Sequence, residues 1–383
     1  MTLLKKISDC VLYHDPRFYA SFPAVVNIQE NRLLLMFRRA RDLRWLLPTE
    51  LAEEQIKLRN QVDHVDSRSQ LTQMIFDQHG HVLEPAQALP VNPEAADQDA
   101  SLLRLRNGTL LVASFSWYPV AASLEPVVKH WPSCLTPRVG RGSLYLFWGG
   151  FVRLSHDNGK SWSEHQYLPV LPDTEDLVPG KRPHFGGAIR GQAIETASEI
   201  LLATYGTGSH VYASADDGVT WRYRSCIAED ESKRLQLNEP SLVACPSGKL
   251  VAFMRSEGGD DRLVTAESFD NGYSWTQWRE REVMGHPFHV LPLRNGQVLL
   301  SYGYRHKPFG IRARLLDAEC DNVNTAPEVI LRDDGACADL GYPWAAQLDD
   351  GRVMVVYYFT GSDGVRHIAA TWCDTGNLPG SLG

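Results

Sequence analysis

Arginine is the residue type in this sequence that most clearly asks for a ligand. Arg38, Arg39, Arg68, Arg255, Arg262, Arg305, Arg312 and Arg366 recur along the chain, with Asp66, Asp99 and Glu239 among them. A guanidinium holds a carboxylate through two parallel hydrogen bonds, so arginines with interspersed carboxylates fit an anionic small molecule. The competing reading is a set of Arg–Asp pairs that satisfy only one another. A second pattern invites metal chemistry. Ser-x-Asp-x-Gly-x-x-Trp occurs three times: SHDNGKSW (155–162), SADDGVTW (214–221) and SFDNGYSW (268–275). An EF-hand calcium loop needs Asp-x-Asp/Asn-x-Asp/Asn-Gly and a later Glu, and none of the three copies has that spacing. An Asp that accepts turn amides, next to a Gly in left-handed backbone, explains the pattern without an ion. No metal and no cofactor are expected.

Three copies of one turn imply a repeated element. Six hairpins recur: 22–37, 99–115, 191–206, 239–255, 286–303 and 342–359. Each joins two apolar strands through a polar turn, at Asn31, Asn107-Gly108, Ser198, Ser247-Gly248, Asn295-Gly296 and Asp350-Gly351. Asn-Gly and Asp-Gly are favoured where a hairpin needs positive φ, and strands apolar throughout are covered on both faces. The three Asp-boxes follow the second, third and fourth hairpins, each between two further strand-like runs. Degenerate boxes stand at 76–80 (FDQHG) and 316–320 (LDAEC). Four antiparallel strands per unit, six times over, is an all-β six-bladed propeller, expected as a single domain over 1–383. The sixth unit ends at HIAATWC (367–373) without a fourth strand, so KKISDCVLYH (5–14) is expected to close the ring. Two insertions interrupt strands two and three. Residues 43–64 carry a helix signal in TELAEEQIKLRNQ, and 116–142 read as a long ordered loop or lid.

This topology sorts the loops into two faces. Box turns lie on one. The entries of first strands and the connections between strands two and three open on the other. Asp99, Glu239, His286 and Tyr342 enter first strands there, directed at the central channel, and the arginines above share that mouth.

With the Asp-boxes, NEPSL (238–242), the Arg loops and DLGYP (339–343), the chain resembles the sialidases over about residues 14 to 375. HVDSR and SYGYRHKPFGIRAR are closer to a bacterial sialidase-like subgroup. The resemblance implies a glycosidase with Tyr342 as nucleophile, Glu239 as its partner and Asp66 as acid/base, with Asp63 as rival. It implies Arg262 and Arg312 as the second and third arginines of a carboxylate clamp. Arg38, Arg68, His64, Asp99, His286 and Arg305 complete the expected substrate-binding set. A sugar acid carries its carboxylate at the anomeric carbon, where a neutral Tyr is repelled less than a carboxylate nucleophile. One position departs from the family. Its first clamp arginine is replaced here by Ser21 or Phe22 in YASFPAVV, and Arg38, Arg39 or Arg68 must fill the gap if it is filled. A uronate-directed lyase and a non-catalytic sugar-binding propeller are the alternatives.

Composition narrows the classes further. A formal charge of −8 over 383 residues argues against a nucleic-acid partner, which selects a basic face. No run of 18 apolar residues is present, so no membrane span is expected. Seven Cys without a CxxC read as a reduced interior, and the start of the chain has no apolar signal segment, which together predict a cytoplasmic protein. The expected partner is a carbohydrate, anionic in character. His286 and His289 are three apart on one strand and face opposite ways, so they make a poor metal pair.

Overall fold

The computed structural model describes residues 4–42, 66–131, 134–135, 143–172, 174–178, 180–183 and 185–376. The helix expected within 43–64 lies outside them. Six antiparallel sheets stand around an axis, and the first strands of neighbouring blades pack against one another there. Blade 1 runs Phe18–Gln29, Arg32–Arg41, Gln70–Phe76 and Val82–Ala88 from the axis outwards. Blades 3, 4 and 5 repeat this order, with first strands Ile194–Glu195, Gln236–Ala244 and Phe288–Pro292. In blade 6 the strands Gly341–Gln347, Val353–Thr360 and Arg366–Asp374 come from the end of the chain, and the outermost, Lys5–Tyr13, comes from its beginning. That strand pairs from Lys5↔Asp374 to Tyr13↔Ile368, so the expected closure of the ring holds.

The core lies between blades. Leu33, Leu35, Met74, Leu102, Val356 and Ala370 pack in one cluster joining blades 6, 1 and 2. Equivalent clusters join blades 5 and 6, 4 and 5, 3 and 4, and 2 and 3. Burial on both faces is why these strands are apolar throughout and do not alternate.

The Asp-boxes are scaffold. Asp157, Asp216 and Asp270 each accept the hydroxyl of the Ser two residues earlier and the amide and hydroxyl four residues later. Asn158, Asp217 and Asn271 share the left-handed region with the Gly that follows each, so two successive residues make the turn. The hydrogen bonds from Ser161 hold the half-buried Asp157 carboxyl down at about 2. Trp162 reaches from blade 2 to Gln73 of blade 1, and Trp275 from blade 4 to Ser225 of blade 3. The degenerate boxes keep the same economy: Asp77 accepts the amides of His79 and His81, and Asp317 those of Glu319 and Asp321. Of the six hairpin turns, only that at Ser198 avoids positive φ. There Thr196 Oγ1 accepts the amides of Ser198 and Glu199 instead.

The expectation of a loop over 116–142 is corrected for its first part, 116–121; residues 132–133 and 136–142 lie outside the described residues. Strand Leu110–Ala121 of blade 2 runs on through 116–121 and pairs with Ser143–Ser155, out to Ser143↔Ala121. The result is a two-stranded arm, followed at its tip by a short helix, Glu125–Val128. Aromatic residues give the arm its own core. Tyr118 stacks on Trp148 at 4.5 Å, Trp117 meets Phe147 at 5.4 Å, and Val120, Val128, Leu144 and Leu146 are buried together.

Candidate active site

Three first strands carry the same irregularity at the mouth of the channel. Phe22, Glu239 and Tyr342 have φ of 55°, 50° and 52°, each precedes a proline, and each sits in a break of the strand register. A left-handed non-glycine residue in a strand is strained and bends the chain. Here the break carries the side chains of blades 1, 4 and 6 to one place. The Tyr342 hydroxyl donates to Glu239 Oε1 at 2.5 Å, and the Phe22 ring meets Tyr342 edge-on at 4.5 Å.

Arg255 completes this pair. Its Nη1 lies 3.0 Å from Glu239 Oε2 and 3.2 Å from the Tyr342 hydroxyl, while Nη2 pairs with Glu257. Burial works against the Arg255 charge, but Glu239, Tyr342 and Glu257 outweigh it and hold the guanidinium above its ordinary value. Burial drives the Tyr342 phenol well above its usual range, and the negative Glu239 adds to this. The phenol at rest is therefore neutral. Arg305 lies over the Tyr342 ring at 5.4 Å, held by the Leu340 carbonyl and the Tyr358 hydroxyl.

The second and third clamp arginines of the sequence reading are revised on these grounds. Arg262 is two-fifths exposed, with Asp260 at 4.0 Å as its acidic neighbour. Arg312 is buried inside blade 5, where its guanidinium donates to the carbonyls of Pro308 and Arg332 and lies over Tyr304. Arg255 and Arg305 are the arginines beside the Tyr–Glu pair. Register identifies Arg255: it pairs across the hairpin with Asn238, the neighbour of Glu239.

The gap left by the first clamp arginine is occupied. Arg38 pairs in register with Ser21, lies over the rings of Tyr19 and Phe22 at 5.2 and 4.8 Å, and donates to Gln98 Oε1 at 2.9 Å. Gln98 is itself fixed by Ser69. Arg39 lies over Phe18, and Arg68 is exposed.

Two carboxylates differ sharply. Asp66 is gripped by Arg41, whose Nη2 lies 2.6 Å from Oδ1 and whose amide lies 2.7 Å from Oδ2. Burial pushes Asp66 up, but the bonds from Arg41 and the Arg68 amide outweigh it and leave it below its ordinary value. Asp99 is the opposite case. Burial pushes it up to about 7 against the pull of Arg190, and the Glu239 charge adds to the rise. Asp63 and His64 lie outside the described residues.

His286 is buried, and its carboxyl neighbour Asp261 stands at 3.6 Å. Burial, with Arg255 and Arg305 nearby, lowers it to about 2, so it is a neutral wall of the site. Two residues that the sequence reading missed hold the site together. Arg190, fully buried, donates to the carbonyls of Pro23, Ala100 and Tyr342 and so ties blades 1, 2 and 6 from blade 3 across the axis. Asp339 accepts the hydroxyls of Tyr19 and Tyr358 and the guanidinium of Arg366, all at 2.9 Å. Through Tyr358 it sets the position of Arg305. The Phe-Pro, Glu-Pro and Tyr-Pro steps at equivalent places were the legible signal for the bulges. Nothing local marks Arg190.

Among the described residues no group of His, Cys, Asp and Glu is arranged to hold a metal ion. The arrangement offers a neutral phenol hydrogen-bonded to a carboxylate, a buried carboxyl raised to about 7, and three arginines around them.

Comparison with known proteins agrees with this geometry at the level of fold. The model of the BNR repeat-like domain matches residues 121–355, more than half of the chain. No curated protein matches the chain. A Dyadobacter fermentans protein of unknown function shares 35% identity, with a TM-score of 0.85 over 97% of this chain and 99% of its own. A mutant of the NanB sialidase of Streptococcus pneumoniae superposes with a TM-score of 0.62 at 13% identity, over 98% of this chain and 71% of that one. Trypanosoma rangeli sialidase gives 0.58 at 14% identity, over 93% of this chain and 55% of its own. The chain belongs to the BNR repeat-like family and is a sialidase-like six-bladed propeller of it.

Proposed function

We propose that the protein is a glycoside hydrolase that releases a terminal acidic sugar with retention of configuration, using Tyr342 as nucleophile. The observation that carries this reading is the hydrogen bond from Tyr342 to Glu239, both buried and both held by Arg255. The pair bears one negative charge. As the Tyr342 oxygen attacks the anomeric carbon, its proton passes to Glu239 Oε1, and no second charge forms in the buried site. Arg255 stays within reach of either charged oxygen. Arg255, Arg305 and Arg38 hold the substrate carboxylate, and Arg190 stays in the scaffold. Asp99, rather than Asp66, donates the proton to the departing oxygen, because a carboxyl near 7 is part-protonated at neutral pH while one paired with Arg41 is ionised. In the second step Asp99 takes a proton from water, the water oxygen replaces Tyr342 on the sugar, and Glu239 returns the proton to the phenol.

The test is a panel of acidic glycans and aryl glycosides with wild-type protein and Tyr342→Phe. Release of the sugar by wild type and a loss of about a thousandfold or more in kcat for Tyr342→Phe, with an unchanged melting profile, is the expected result. Near-normal activity of Tyr342→Phe sinks the mechanism. A product with the ultraviolet absorbance of a conjugated double bond identifies a lyase, and binding without any product identifies a carbohydrate-binding propeller.

A further inference from the structure

Arg190 and Gly191 divide the central channel. The Arg190 guanidinium bonds to carbonyls of blades 1, 2 and 6, and Gly191 lies so close to Pro240 of blade 4 that a Cβ there would sit 1.8 Å from its carbonyl oxygen. Trp344 lies 5.3 Å from Arg190 and stacks on His289. In front of this plug is the Tyr342 site. Behind it, on the face of the hairpin and box turns, is a cavity of about 440 Å³.

The cavity's lining is unlike the rest of the molecule. Val25, Leu103 and Leu291 of three first strands meet Trp344 in its apolar wall. Arg104, Arg106 and Arg294 complete it with amide side chains, and no Asp or Glu lines it, although the chain as a whole carries a formal charge of −8. Arg106 is engaged by Glu195 from outside the lining, at 3.9 Å. Arg104 and Arg294 form no ion pair among the described residues. Among the described residues the Arg294 guanidinium donates only to the Asp349 carbonyl, its amide donates to Gln347 Oε1, and the carboxylate of Asp349 accepts the Asn31 amide. A concave surface with three cations and low-dielectric walls concentrates anions far more than the same charges on a flat surface.

We propose that this back cavity is a second binding site, distinct from the Tyr342 site, for a compact organic anion: a sugar-sized body bearing a phosphate or a carboxylate. Arg104 and Arg294 take the charged group, and the body lies against the more open apolar wall at Leu291 and Pro292. The proposal does not depend on the glycosidase reading, because the plug separates the two sites.

Calorimetric titration tests it with glucose 6-phosphate, glucuronate and neutral glucose as probes, at low and high salt. One or both anions should bind saturably and more weakly at high salt, and glucose should not. Preference between the two anions tells phosphate from carboxylate recognition. Arg104→Glu combined with Arg294→Glu should weaken binding by about tenfold or more, since each loses a charge-assisted contact. Glu239→Gln, which alters only the front site, should leave it unchanged. Should the double variant fail to fold, Arg104→Gln alone should weaken binding about threefold. The proposal is overturned if neither anion binds, if glucose binds equally well, if the arginine substitutions leave the affinity unaltered, or if Glu239→Gln removes it.

Discussion

Asp99 and Asp66 are both buried carboxylates at the front of the ring, and their environments set them apart. Asp66 has a guanidinium of its own. Asp99 shares Arg190, Arg38 and Arg255 with Glu239 and several carbonyls, too few cations to offset burial. The consequence for stability has a definite direction. With a folded pKa near 7 against an ordinary 3.8, the folded chain holds a proton that the unfolded chain releases across the interval between them. Asp99 thus costs nothing well below pH 3.8 and little at pH 4, and its cost grows as pH rises to about 7 and then stays constant. Asp99→Asn removes the titrating group. Its melting temperature should match wild type near pH 4 and exceed it by about 3 °C at pH 8. Activity should move the other way. Asp99→Asn should lose about a hundredfold or more on a glycoside with a sugar leaving group and far less on an aryl glycoside, whose leaving oxygen needs little protonation. Asp66→Asn should show no such dependence on the leaving group. If Asp63→Asn shows it and Asp99→Asn does not, the proton comes from the blade 1 connection instead.

The strands, turns and ring order were legible because each rests on local chemistry. Asn107-Gly108 and Asp350-Gly351 specify their hairpins without reference to anything distant, and so does each box. The arm of blade 2 was not legible as strand. Pro119 argues against a strand, and its partner Tyr145 is remote in sequence, so only the paired structure shows that 116–121 continues the blade. The clamp was half legible for a similar reason. Glu239 and Tyr342 announce themselves by their motifs, but whether Arg255 or Arg262 meets them depends on which way a strand end faces after a bulge. The base of the arm makes a sharper test of packing. Gly150 donates its amide to the Gly186 carbonyl at 2.8 Å, and a Cβ on it would stand 2.3 Å from the carbonyl oxygen of Gly187, a backbone atom that cannot turn away. Gly150→Ala should therefore cost about 2 kcal/mol or more and lower the urea midpoint. Gly206→Ala, where nothing lies within 4 Å of the added carbon and φ is not positive, should stay within about 0.5 kcal/mol of wild type. Equal effects of the two would mean that blades 2 and 3 separate easily at this point.

At the scale of the whole ring, one pairing differs from all others in its separation along the chain. Blades 1 to 5 are each built from consecutive strands, so even the insertions of blades 1 and 2 leave connections far shorter than the chain. Blade 6 joins Lys5–Tyr13 to Arg366–Asp374, and this pairing alone carries the loop-closure entropy of almost the entire chain. Side chains add to the pairing: within blade 6 Thr371 donates to Asp9 at 2.7 Å, and Lys6 reaches the Leu331 carbonyl of blade 5 at 2.7 Å. Release of the first strand would uncover the edge at Arg366–Asp374 and a flank of the blade 6–1 core, so unfolding should begin there. The register allows a direct trial. Cys10 lies opposite Ala370, and both pack on the core cluster that joins blades 6, 1 and 2. In Ala370→Cys the new thiol faces Cys10, and mild oxidation by oxidised glutathione should join the two. Closing so long a loop should stabilise the oxidised variant by about 2–4 kcal/mol, while the reduced variant stays at or slightly below wild type because a thiol replaces a methyl in a packed core. Mass spectrometry gives the bond and a urea transition gives its effect. A bond that forms without moving the midpoint would show that another interface opens before the ring does, and the closing strand would then no longer rank as the weakest joint of the molecule.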